Sequence, residues 1–145
     1  MLISFFVSLQ TGKNNVDMQY PHEITLKVRD YECDIQGIVN NANYQHYLEH
    51  ARHEFLIANG LSFTKMHEEG IDAVVADISM RFRTPLKGMD EFIVRTSVSH
   101  EGIRYVFHQD IIRASDMKLS VRARVDIVCI SEGRLIDPQI DFGNE

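Results

Sequence analysis

One stretch of helical period stands alone among segments that alternate every second residue, and this contrast constrains the fold most. From Asn41 to Asn59 the apolar residues Tyr44, Tyr47, Leu48, Ala51, Phe55 and Ala58 fall on one stripe at 100° per residue, with His46, His50, His53 and Glu54 opposite. Asn40, Asn41 or Asn43 can cap the start, and Gly60 suits the left-handed position after the end. The pattern predicts a helix about 28 Å long at 1.5 Å per residue. Residues 62–69, closed by Gly70, read as a short second helix or turn.

The remaining segments have period two. Ile24, Leu26 and Val28 alternate with Thr25, Lys27 and Arg29. Val74, Ala76, Ile78, Met80 and Phe82 alternate with Asp77, Ser79, Arg81 and Arg83 until Pro85 ends the strand. Strands follow at 91–99, with Phe92, Val94 and Val98 inward, and at 103–113 after a tight turn at His100, Glu101 and Gly102. A strand at 118–130 puts Leu119, Val121, Ala123, Val125, Ile127 and Cys129 on one face. Short connections imply antiparallel pairing. Each element has one apolar side to bury, so the expected fold is α+β in two layers: one long helix against a curved antiparallel sheet of about five strands. A chain of 145 residues supports one core of this kind and not two.

Charge and cysteine content narrow the function. Fifteen Lys and Arg against 21 Asp and Glu give a net charge of -6, which lacks the basic field that binding to nucleic acid needs. Cys33 and Cys129 have neither disulfide-scaffold nor zinc spacing, so a reducing, cytoplasmic setting is expected. Met1 to Leu9 is apolar, but it is too short to span a bilayer and no Lys or Arg precedes it. Residues 1–18 are therefore read as a poorly structured extension, dispensable for folding and activity, and residues 19–145 as the single domain, with no membrane partner.

Between the first strand and the helix runs Tyr31-Glu32-Cys33-Asp34-Ile35-Gln36-Gly37-Ile38-Val39-Asn40-Asn41-Ala42-Asn43-Tyr44. Free N–H groups and the positive dipole end of a helix start can stabilise an oxyanion, and a carboxylate beside them can act as base or nucleophile. Asp34 is the candidate. The same residue types also make Asx turns and caps, so a purely structural reading of Asp34, Asn40 and Asn43 stands beside the chemical one.

This run, continued by Tyr47, Glu49, Ala51 and Arg52, resembles the signature of the 4-hydroxybenzoyl-CoA thioesterase-like hotdog-fold proteins, among them acyl-CoA thioesterases of the YbgC type. Ile78-Ser79-Met80-Arg81-Phe82-Arg83-Thr84-Pro85, with Asp90 after it, matches the family's second and third strands, and the likeness spans about residues 20 to 140. The resemblance implies a hotdog fold, hydrolysis of an acyl-CoA to a free acid and coenzyme A, no cofactor and no metal, and a homodimer or homotetramer with the site at the subunit interface. It assigns Asp34 as general base or nucleophile, the N–H groups around Asn41 to Tyr44 as the oxyanion site, and Tyr44 to the acyl pocket or to plain core packing. Gly37, Ile38, Val39 and Asn43 become substrate-contacting positions. Many YbgC-type relatives carry His where this chain has Asn41; an amide cannot exchange protons, so orientation by hydrogen bonding is what it can offer. Arg83 and Lys87, flanking Pro85, are the candidates for coenzyme A phosphates. Glu32 is expected as a solvated loop carboxylate, and Glu49 as a surface partner of Arg52 or His53. His46, His50 and His53 have the i, i+4, i+7 spacing of metal ligands, but the expectation is a solvated or intersubunit face. The alternatives are hydrolysis of acyl groups on acyl carrier protein and non-catalytic acyl-CoA binding.

Overall fold

The computed structural model describes residues 22–142. The expectation for residues 1–18 lies outside the described residues. In chain order the elements are β1 (His22–Lys27), a 3-10 turn (Asp30–Glu32), α1 (Asn41–Ala58), α2 (Phe63–Glu68), β2 (Asp72–Phe82), β3 (Glu91–Glu101), β4 (Arg104–Arg113), β5 (Lys118–Ser131) and β6 (Arg134–Ile136). The sheet is antiparallel in the order β1-β3-β4-β5-β2, and the short β6 pairs with the end of β5. One long helix lies on this curled sheet, which is the expected hotdog arrangement with β6 as an addition.

The alternation in β1, β3, β4 and β5 decides which side meets α1. Val28, Tyr44, Tyr47, Leu48, Ala51, Phe92, Val94, Ile111 and Val121 form one core cluster. Phe55, Leu56, Tyr105, Phe107, Val125, Ile127 and Cys129 form a second toward the helix C-terminus, closed by Phe142, which stacks on Phe55. Among the described residues no helix is long and apolar enough to cross a membrane.

Three local expectations are corrected. Ala58 is exposed, and Arg52 instead joins the buried stripe of α1. Gln109 explains this: it falls on the inward parity of β4 between Phe107 and Ile111, accepts from Arg52 Nη1 at 3.1 Å and donates to the Leu48 carbonyl and Thr96 Oγ1. Burial pushes the Arg52 pKa down, and the Glu49 charge opposes that shift. The third correction is in β2. Val75 pairs with Ile127 and Asp77 with Asp126, so Ala76 is an extra residue in a β-bulge. The bulge reverses the alternation: Ala73 faces the core before it and Ile78 and Met80 after it, while Val74 and Ala76, expected inward, are exposed.

Candidate active site

The run between β1 and α1 folds as a tight hairpin. Cys33 bridges Val39, Asp34 N–H donates to the Ile38 carbonyl at 2.8 Å, and Gly37 N–H donates to the Asp34 carbonyl. Gly37 has φ +81°, a conformation that favours glycine. The exposed Asp34 carboxylate does the structural job weighed from sequence with one of its oxygens. Its Oδ1 accepts from the N–H groups of Gln36 at 2.8 Å and Ile38 at 3.3 Å, forming an Asx turn. Its Oδ2 has no partner among the described residues.

Glu32 holds this hairpin against the helix, which corrects its reading as a solvated loop carboxylate. It is 9% exposed. Its Oε1 accepts from Tyr47 OH and from the Arg29 N–H, each at 2.8 Å, and its Oε2 pairs with the Arg29 guanidinium at 3.2 Å. Its backbone carbonyl accepts from Asn40 N–H and from Asn43 Nδ2. Burial first, and the Glu32 carboxylate next, push the Tyr47 phenol far above its ordinary pKa, so it stays a neutral donor. Sequence reasoning missed this pair; the signal was a tyrosine on the buried stripe whose hydroxyl needs a partner.

Asn40 proves to be the cap of α1. Its Oδ1 accepts from Ala42 N–H at 2.9 Å, and its carbonyl accepts from Asn43 N–H. Of the first N–H groups of the helix, that of Asn41 is left without a protein acceptor among the described residues, and the Asn41 side chain is exposed. Of the N–H groups around Asn41 to Tyr44, that of Asn41 is therefore the one left open to an acceptor from outside the described residues. Tyr44 is buried, with its ring against Tyr47 and Phe82, and its hydroxyl accepts from Leu86 N–H at 3.0 Å. The Leu86 carbonyl in turn accepts from Val39 N–H. Tyr44 thus braces the helix start to the β2–β3 loop.

Ile38 pairs with Lys87 across these two loops, so Lys87 lies beside the Asp34 hairpin. Arg83 does not join it: with Ser79 and Arg81 it lines a groove on the outer face of the sheet. Gly37 is exposed, Ile38 half-buried and Val39 buried in the core, whereas the amide of Asn43 is committed to Glu32 and to a 3.4 Å contact with His46 Nδ1. Burial pushes the Cys33 thiol up, and the Asp34 and Glu32 carboxylates add to the shift, so Cys33 is not an activated nucleophile. Glu49 is exposed, and His53 packs edge-on against Phe63. No cluster of three metal-ligating side chains occurs among the described residues.

Beside the helix start, Ala42, Gln45, His46, Glu49 and Arg52 of α1 and Val75 and Ile78 of β2 line an open hollow of about 360 Å³. It adjoins the edge of β2 that has no partner strand among the described residues, where Val74, Val75 and Phe82 are exposed.

Residues 28–138 match the family described as the thioesterase-like superfamily. The chain is 40% identical over 94 residues to acyl-acyl carrier protein thioesterase ATL3, chloroplastic, of Arabidopsis thaliana, covering 65% of this chain and 48% of that protein. It is 31% identical over 106 residues to the long-chain acyl-CoA thioesterase FadM of Escherichia coli, covering 72% and 80% of the two chains. The chain spans about half the length of the plant relatives it matches. Among solved structures, a hypothetical protein from Aquifex aeolicus superposes with a TM-score of 0.76 at 26% identity, over 81% of this chain and 93% of that one. With most of its length in the family match and its hairpin and helix start in the hotdog arrangement, this chain belongs to the thioesterase-like superfamily.

Proposed function

We propose that this chain is a thioester hydrolase acting on acyl-CoA, with Asp34 as its acid/base or nucleophilic group. The observation that carries the reading is the Asp34 carboxylate itself: Oδ1 is fixed by the turn, Oδ2 is left open, and the Cys33–Val39 bridge brings the hairpin back to the Asn40 cap and the unpaired Asn41 N–H. A water held by Oδ2 loses its proton to Asp34 as its oxygen bonds to the thioester carbon. The carbonyl oxygen gains the charge, and the Asn41 N–H at the positive end of α1 stabilises it. Collapse breaks the C–S bond, and the proton on Asp34 passes to the departing thiolate. In the nucleophilic variant Oδ2 itself bonds to that carbon, expels the thiolate and forms a mixed anhydride, which water then cleaves. Either route needs only water and the acyl-CoA. Incorporation of heavy oxygen from labelled water into Asp34 after one turnover marks the second route.

The acyl chain is assigned to the hollow between α1 and β2. A second copy at the exposed edge of β2 would roof that hollow, so the working unit is proposed to be a homodimer or a multiple of it. The likeness to ATL3 favours one further reading, hydrolysis of acyl groups on acyl carrier protein.

Release of free thiol from a panel of acyl-CoA and matched acyl carrier protein thioesters tests both readings. The Asp34→Asn variant, which keeps the turn and removes the charge, should lose about 10²- to 10⁴-fold in kcat. Undiminished turnover of every hydrolysable thioester by that variant overturns the assignment of Asp34.

A further inference from the structure

A buried arginine lines the hollow beside the helix start, and most of its donors are unused. Arg52 is 6% exposed, yet its guanidinium makes one protein bond, from Nη1 to Gln109 Oε1 at 3.1 Å. Gln109 offers it that oxygen alone, because Nε2 is committed to the Leu48 carbonyl and Thr96 Oγ1. Glu49, about one turn before Arg52, is exposed and makes no ion pair with it, although its charge is felt there. The Nε and Nη2 donors of Arg52 have no acceptor among the described residues. They are not sealed in: the buried side-chain atoms without a partner are His22 Nδ1 and Ser120 Oγ, whereas Arg52 forms part of the wall of the hollow. Nε and Nη2 share one edge of the guanidinium plane, and such an edge takes a carboxylate through two parallel bonds. A desolvated charge with a single neutral partner is costly, and an anion at that edge reduces the cost.

We propose that Arg52 selects acyl groups that end in a carboxylate, so that the preferred substrate is the mono-CoA thioester of a dicarboxylic acid. The inference rests on the acyl-CoA reading above and names its substrate class. The walls of the hollow agree with it. Gln45, His46, Glu49 and Arg52 form a polar side on α1, and Val75 and Ile78 an apolar side on β2. A plain hydrocarbon tail leaves Arg52 buried without an anion. A chain with a terminal carboxylate lays its methylene groups on Val75 and Ile78 and its charge on Arg52. Glu49 opposes the incoming anion, but its exposed carboxylate is screened by water and acts more weakly than the buried guanidinium. The helix sets the length. From Asn41 to Arg52 it rises about 16 Å, and a helical side chain leans back over the preceding turn by about 5 Å. About 11 Å then separates the Asn41 N–H from the guanidinium. With a hydrogen bond at each end and about 1.2 Å per bond of extended chain, that span fits an acyl group of about six to ten carbons.

The test compares adipyl-, suberyl- and sebacyl-CoA with hexanoyl-, octanoyl- and decanoyl-CoA, pairs matched in carbon number. In wild type, kcat/KM should favour the carboxylate-ended member of at least one pair by about tenfold or more, and Arg52→Met should abolish that preference. Glu49→Gln changes an exposed residue and keeps Arg52, so it serves even if Arg52→Met does not fold; it should raise the preference about twofold or more. Wild type that hydrolyses the plain esters as well as their matched partners overturns the proposal and leaves the enzymatic reading standing. A preference that survives in folded Arg52→Met, or that does not rise in Glu49→Gln, also overturns it. Calorimetric binding of suberate and octanoate reads the hollow without catalysis. If no thioester is hydrolysed, suberate binding about tenfold tighter than octanoate to wild type supports the site while the enzymatic reading fails, and equal binding of the two refutes the site.

Discussion

Replacing Glu32 by Gln tests whether the Asp34 hairpin is held by a buried charge or only by its turns. The side chain of Glu32 is 11% exposed and that of Arg29 59% exposed, so the Arg29 guanidinium pair adds little. The main contributions are the bonds that Oε1 accepts from Tyr47 OH and the Arg29 N–H. Bonds to a charged acceptor contribute about 1.5–3 kcal/mol and neutral ones about 1 kcal/mol. The Gln variant can keep both bonds in neutral form, and its new amide nitrogen faces the Arg29 donor, which gives a loss of about 2 kcal/mol. Tyr47→Phe removes one donor and should cost about 1–2 kcal/mol. Because the two groups touch, the double variant should fall short of additivity by about 1 kcal/mol in urea unfolding. Since the Glu32 carbonyl also holds Asn40 and Asn43, kcat should fall more than KM rises in Glu32→Gln. A Gln variant within about 0.5 kcal/mol of wild type, or strict additivity of the two changes, refutes this account.

The other expectations are simpler. In Gly37→Ala the new methyl group meets no atom within 4 Å, so only the φ of +81° is strained; we expect a loss of about 1–2 kcal/mol in urea unfolding together with lower kcat. Tyr105, whose hydroxyl donates to Asp137 at 2.6 Å, has its phenol pushed up to about 12 by burial and then by that bond. A folded pKa above the unfolded value of about 10 means that its stabilisation is full below pH 10 and declines as pH rises through 12. The same bond, first among the causes, holds the Asp137 carboxyl low, so that contribution is full above the unfolded pKa of about 3.9 and is lost as pH falls through its lowered value. Urea titrations of Tyr105→Phe across both ranges should show weaker pH dependence than wild type, and parallel profiles would contradict it. Val75→Lys puts a charge on the open edge of β2 and should shift the mass measured by light scattering toward the monomer; an unchanged mass would place the interface elsewhere.

The features legible in the sequence are those set by neighbours along the chain. The Asp34–Gly37 turn, the Asn cap and the end of α1 depend on contacts within four residues. Glu32 was misread because its burial depends on Tyr47, fifteen residues away, and an isolated acid before a helix looks like any solvated loop carboxylate. Arg52 shows the same difficulty with a usable signal. It lies four residues after Leu48 on the buried stripe, and Gln109 stands at an inward position of β4; each polar residue breaks its own pattern, and together they satisfy one another.

The discrepancy in β2 is of another kind. Val74, Ala76, Ile78, Met80 and Phe82 read as a core-facing set, yet Val74 is 39% and Phe82 48% exposed, and a bulge turns the strand between Val75 and Asp77. Apolar residues were expected to be buried, and a single copy does not bury these. The same strand carries the edge without a partner among the described residues and one wall of the hollow beside the helix start. Among the described residues, exposed apolar side chains, an edge without a partner strand and an open hollow are three separate costs at β2, and one antiparallel partner there would reduce all three. The bulge is why a strict period-two reading placed Val74 on the side of Ile78, and the proposed dimer would give the residues it leaves exposed an apolar neighbour.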